Sequence, residues 1–163
     1  MKKIWLTLLV LLVIIQFIHP KKNQAAGAQP AAIGTQYAVP DSVQHILAVS
    51  CNDCHSNNTV YPWYSKLQPV DWWLNHHVNE GKEELNFDAF ADYSPRKQYH
   101  KLDELIKEVK EDGMPLDSYT WIHKDALLST EQKATLTNWA DGIRRQLEQK
   151  YPPDSLNRPG KRP

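Results

Sequence analysis

Cys51-Asn52-Asp53-Cys54-His55 decides how this chain is read. Two thiols three positions apart are followed at once by an imidazole, the C-x-x-C-H pattern of covalent haem attachment. Each residue type has a chemical reason to be there. The two intervening residues let both sulfurs reach one edge of a porphyrin, where each S–H adds across a vinyl group and leaves a thioether. The residue after the second cysteine then falls beneath the ring, so His55 is the expected proximal ligand of the iron. Cys51 and Cys54 are the only two cysteines of the 163 residues, so the motif uses every thiol the chain has.

Two other chemistries use similar residues. A bare C-x-x-C serves as a redox dithiol in thioredoxin-like proteins, but that setting wants a βαβ pattern, which is not visible, and it leaves His55 unexplained. A structural zinc could draw on Cys51, Cys54 and two histidines. His76 and His77 are adjacent, however, and do not easily reach one ion together. Covalent haem c, one per chain, is therefore the expected cofactor.

Upstream of the motif, Met1-Lys2-Lys3 precedes an apolar run from Ile4 to Ile18, and His19-Pro20-Lys21-Lys22 follows. This reads as an export signal. The run spans only about 22 Å as a helix, against about 30 Å for a bilayer core. Snorkelling lysines and the flanking Trp5 and Phe17 make up part of the gap. Residues 1–22 are therefore expected to be a signal or membrane anchor. The expectation is a single-pass helix in the inner membrane with the domain facing the periplasm; the alternative is a soluble periplasmic protein after signal cleavage near Ala26 or Ala28. Residues 23–40, rich in Ala, Gln, Gly and Pro, read as a flexible tether. Residues 151–163 carry four prolines and read as a disordered tail. Residues 41–150 are left as one domain. Nineteen basic residues balance nineteen acidic ones, which gives no electrostatic case for nucleic acid.

Within the domain the periodicity is helical throughout and no strand alternation is visible. Asp41 with Gln44 reads as a capping box for a helix bearing Val43, Ile46 and Leu47, which runs directly into the motif. Asp71 is a candidate cap for a helix from Trp72 to about Glu80, closed by Gly81. On that helix Trp73, Leu74, His77 and Val78 share a face. Leu102, Leu105, Ile106 and Val109 mark a helix from about His100 to Asp112, stopped by Gly113. Ser129 with Gln132 opens a last helix, with Leu136, Trp139, Ile143 and Leu147 on one face. Trp63, Tyr64, Trp72, Trp73 and Trp121 read as core aromatics packed on the porphyrin, a partner surface being the alternative.

Met114 is the only methionine besides the initiator, and it sits in a Gly113-Met114-Pro115 turn. Proline restricts the backbone there, and a thioether is a soft ligand suited to haem iron. Met114 is the expected distal ligand; His77 is the runner-up and His123 the third candidate.

At these residues the chain resembles a known family. The run from Cys51 to Phe87, with C-x-x-C-H-S-N from Cys51 to Asn57, Tyr61-Pro62-Trp63-Tyr64, a Trp-rich helix from Trp72 to Gly81 holding His77, and the later Met114-Pro115, is similar to the small single-haem "haem-binding domain" family of exported bacterial c-type cytochromes. The resemblance covers most of residues 43–140. It implies an all-α, small cytochrome c-like helical domain wrapped around one covalent haem, often behind an N-terminal membrane helix. The expected function is single-electron transfer between redox partner proteins in the periplasm, an electron carrier rather than an enzyme. The alternative is a peroxidase-like enzyme or gas sensor with an open or displaceable sixth site.

Overall fold

The computed structural model describes residues 1–157. Among these residues there is no strand, only a single bridge between Gln24 and Asn58, so the all-α expectation holds. The helices are α1 (Lys2–Ile15), α2 (Asp41–Ser50), α3 (Asn52–His55), α4 (Val70–Glu84), α5 (Pro95–Lys110), α6 (Asp117–Thr120), α7 (Thr130–Lys150) and α8 (Pro153–Leu156). Short 3₁₀ turns over Ile33–Thr35, Trp63–Lys66, Phe87–Asp92 and Lys124–Ala126 link them.

The core is the seam between α5 and α7, closed by α2 and α8. Leu102, Leu105, Ile106 and Val109 from α5 meet Leu136, Ala140, Ile143 and Leu147 from α7. Val43, Ile46 and Leu47 of α2 and Leu156 of α8 complete it. Fully burying side chains of this size contributes about 1.5–3 kcal/mol each. Ser129 and Gln132 form the reciprocal capping box at the start of α7.

One correction concerns the N-terminus. No helix among the described residues is long and apolar enough to cross a membrane. The expected N-terminal membrane helix, and with it the single-pass inner-membrane location, is not supported. The physical reason is length: α1 has 14 residues, about 21 Å of rise. It ends where Gln16 turns to the domain, its side chain accepting from Gln68 N at 2.9 Å and donating to Gln68 O at 3.2 Å.

The chain from Gln16 onward is laid on the domain. Asp71 is fully buried; its Oδ1 accepts from Lys22 Nζ at 2.6 Å and its Oδ2 lies 2.7 Å from His19 Nδ1. Burial acts to raise this carboxyl, but hydrogen bonds and charge from Lys22 and His19 outweigh it and hold the group below its ordinary range. Residues 23–40, read from composition as a tether, put Ile33 and Tyr37 into the core. Tyr37 OH donates to Gln98 Oε1 at 2.7 Å, and Gln98 Nε2 donates to the carbonyls of Phe90 and Tyr93, so this buried amide is satisfied at both ends. Of the expected disordered tail, residues 151–157 include α8 and the buried Leu156; residues 158–163 lie outside the described part.

Candidate functional site

α2 delivers the motif. Its last residue, Ser50, is followed by Cys51, and α3 is the single turn that carries Cys54 and His55. The amides of Cys54 and His55 both donate to Cys51 O, at 3.2 and 2.9 Å, which places all three side chains on one turn. α4 lies against this turn with no side chain between them. A Cβ on Gly81 would stand 2.8 Å from Cys54 O and 2.9 Å from Cys54 Cβ, well inside ordinary contact. Gly81 does not end the helix, which continues to Glu84; it is glycine because of this close approach.

The site is held from several directions. Asp53, between the cysteines, accepts from Val60 N at 2.9 Å and from Tyr119 OH at 2.8 Å, tying the motif to the following loop and to α6. Asn23 Nδ2 donates to Ser56 O and Thr59 Oγ1, and Asn57 N donates to Asp88 Oδ2 at 2.8 Å. His55 Nδ1 lies 2.9 Å from Leu85 O, so that nitrogen carries the hydrogen and Nε2 is left as the metal-binding atom. The ring packs edge-on against Phe87. Burial lowers the basicity of His55, which favours the neutral imidazole that ligation requires.

Three neighbouring cavities surround the motif. The first, about 470 Å³, is lined by Cys51, Cys54, His55, His77, Gly81 and Met114 among others. The second, about 490 Å³, shares Ser50, Cys51, His55, Glu84, Met114 and Pro115 with it and adds Leu85, Phe87, Leu105 and Val109. The third, about 450 Å³, lies on the far side of Cys54 among Tyr61, Trp63, Tyr64, Trp73 and Ile122. Each is of the size that holds a small cofactor, and the first shares wall residues with both of the others. Lys101 sits at the rim of the second, bridging Glu84 at 2.7 Å and Glu104 at 2.6 Å.

The residues expected from sequence divide clearly. Cys51, Cys54, His55 and Met114 meet around the first cavity, and His77 reaches the same wall. His123 does not; its Nε2 is 2.7 Å from Tyr64 OH and its ring stacks on Tyr119, in the third cavity. Of the five aromatics expected to pack on the porphyrin, Trp63, Tyr64 and Trp73 line the third cavity beside Cys54, whereas Trp72 and Trp121 line none of the three; all five lie outside the apolar core cluster. Gly81, Asp53 and the Leu85 carbonyl were not singled out for the site; only a glycine inside a continuing helical pattern offered a signal.

The donor chemistry fits haem better than the two alternatives. Both cysteines are free thiols. Burial, with Cys54 close by, pushes the Cys51 thiol up to about 12; burial and Asp53 push Cys54 up to about 11. A reactive dithiol depends on lowered values, and among the described residues the one set of three donors gathered within reach of a metal ion includes neither cysteine. Two protonated thiols beside an apolar cavity, next to a neutral imidazole with a free Nε2, match a porphyrin instead.

The family model described as a haem-binding domain matches residues 10–142. No curated protein and no solved structure matches the chain.

Proposed function

Because the chain belongs to the haem-binding domain family, we propose that it is a single-haem c-type cytochrome that transfers electrons one at a time outside the cytoplasm. Cys51 and Cys54 would hold the porphyrin through thioethers, and His55 Nε2 and Met114 would ligate its iron. When bound, the group supplies an iron that alternates between ferric and ferrous states. The chain's own part is to hold and shield it. α3 fixes both sulfurs and His55 on one turn, Leu85 O orients the imidazole, and Leu105, Val109 and Phe87 keep water from one face. The observation that carries the reading is that His55 and Met114 line the same two adjacent cavities as Cys51. A thioether in the sixth position raises the potential and blocks substrate access, which favours electron transfer over chemistry at the iron.

An exported location is supported by the basic start and apolar run of residues 2–18, the pattern of an export signal. The test of the function is spectroscopic. The matured protein should be six-coordinate and low-spin, should retain its haem in acidified acetone, and should bind carbon monoxide only after Met114→Ala. Extractable haem would refute covalent attachment. Ready binding of carbon monoxide or peroxide by the unaltered protein would favour an enzyme or sensor.

A further inference from the structure

α4 carries a second cluster of metal-binding side chains that the haem reading does not use. His76 Nε2 lies 3.2 Å from Glu80 Oε1, and His77 Nδ1 lies 3.5 Å from Glu80 Oε2. The three donor atoms are all within 4.8 Å of one another. Adjacent residues on a helix point about 100° apart, which is why a pair of neighbouring histidines looks unable to share an ion. Here Glu80, one turn on, faces both rings at once and closes the set. We propose that His76, His77 and Glu80 form a surface site for one divalent transition-metal ion of the zinc or copper class.

The chemistry of the donors selects that class. Two imidazoles and one carboxylate suit zinc, copper and nickel, whereas calcium and magnesium want oxygen alone. Three ligands from the chain leave the remaining positions to water, the pattern of an open rather than a closed site. The surroundings favour a cation. The nearest lysine on the helix, Lys82, is drawn away by a 2.6 Å hydrogen bond to Asn23 Oδ1. Glu83 is on the same helix and lines the first cavity together with His77 and Glu80. His77 is the more buried of the two rings: it is 25 % exposed and packs edge-on to Trp73 with centroids 4.4 Å apart. His76 and Glu80 are 65 % and 58 % exposed, so an ion can enter without any rearrangement of the fold.

The site goes beyond the haem assignment and needs only that His77 is not an iron ligand. The test titrates the full-length, haem-loaded protein with zinc chloride by calorimetry, and with copper(II) followed by electron paramagnetic resonance. One zinc per chain is expected, displaced by one copper whose spectrum shows coupling to two imidazole nitrogens. His76→Ala and Glu80→Gln should each weaken zinc binding about tenfold or more, by analogy with the loss of other site residues, while His45→Ala should not. Both altered side chains are exposed, so folding is preserved and is checked by circular dichroism. Zinc should leave the haem absorption unmoved. The proposal is overturned if no saturable zinc binding is seen, if His76→Ala binds zinc as tightly as the parent, or if zinc changes the haem spectrum, which would assign His77 to the iron.

Discussion

Adding one methyl group at position 81 separates two opposing effects that ordinarily travel together. In a helix interior, glycine to alanine is favourable by about 0.8–1 kcal/mol. At Gly81 the new Cβ would meet Cys54 O at 2.8 Å and Cys54 Cβ at 2.9 Å, where ordinary carbon contacts lie at about 3.5–4 Å. The opposing atoms belong to the one-turn helix that carries Cys54 and His55, so α3 and α4 must part by several tenths of an ångström. Overpacking of this kind costs about 1–3 kcal/mol. Gly142 on α7 supplies the control, because a Cβ there meets nothing within 4 Å. Gly142→Ala should therefore raise stability by up to about 1 kcal/mol. Gly81→Ala should fall below it by about 1–3 kcal/mol, since the propensity gain is common to both and cancels. For a chain of this size that is a gap of several degrees in Tm. Calorimetric melting of the two variants reads the stability, and haem content per chain reads the placement of α3, which should be poorer only in Gly81→Ala. Equal melting temperatures with full haem in both would refute the claim that glycine is required for the fit of α4 on the motif.

Leu102→Ala, at a fully buried position of the α5–α7 seam, should destabilise by about 2–5 kcal/mol in denaturant titration. Tyr119→Phe removes the donor to Asp53 Oδ2 and should cost about 1–3 kcal/mol while leaving the haem spectrum in place. Met114→Ala should lower the midpoint potential and admit carbon monoxide, measured by redox titration and gas binding. The folded-state value of Asp71 is depressed, so its contribution is present above the ordinary carboxylate range near pH 4 and is lost as pH falls through the folded value. Asp71→Asn should thus flatten the loss of stability between neutral and acid pH, and protease cleavage after Lys21 and Lys22 should speed up as that segment loosens.

Much of the helical frame was legible because it depends on neighbours in sequence. The stripe of Leu102, Leu105, Ile106 and Val109 and the capping box of Ser129 and Gln132 are local patterns, and both stand in the structure. Signals that the same rules assigned to local work went elsewhere when distant partners claimed them. Asp41 opens α2 without a side-chain cap, and α4 begins at Val70 with Pro69 before it. Asp71 bonds instead to residues 49 and 52 positions away, a pairing no window could show. The stretch 23–40 reads as a tether because Ile33 and Tyr37 are isolated apolar residues without a period, yet these two side chains enter the core, and hydrogen bonds linking Asn23, Ala25, Ala31, Tyr37 and Ala38 to distant residues seat the segment.

On the proposed assignment the site was legible for a different reason: its spacing is set by the group it would hold rather than by the fold. In the proposed site two sulfurs and an imidazole would have to meet one macrocycle, which is why the spacing of Cys51, Cys54 and His55 reads the same way in any context. What supports them is written in residues with other everyday uses. Glycine after an acidic residue reads as a helix stop, and an aspartate between cysteines reads as a spacer. Only the packing shows that Gly81 admits Cys54 and that Asp53 binds Val60 and Tyr119. The same distinction bears on Met114. A methionine in a Gly-Met-Pro turn could have filled a gap in the core, and its sulfur would then be unavailable. Met114 instead lines both cavities with His55, half-buried and outside the apolar cluster, which fits the proposed ligand role. Truncating a core methionine would lower the melting temperature and leave the potential alone, whereas losing a ligand to the iron also shifts the potential, so Met114→Ala decides between them by whether the potential moves.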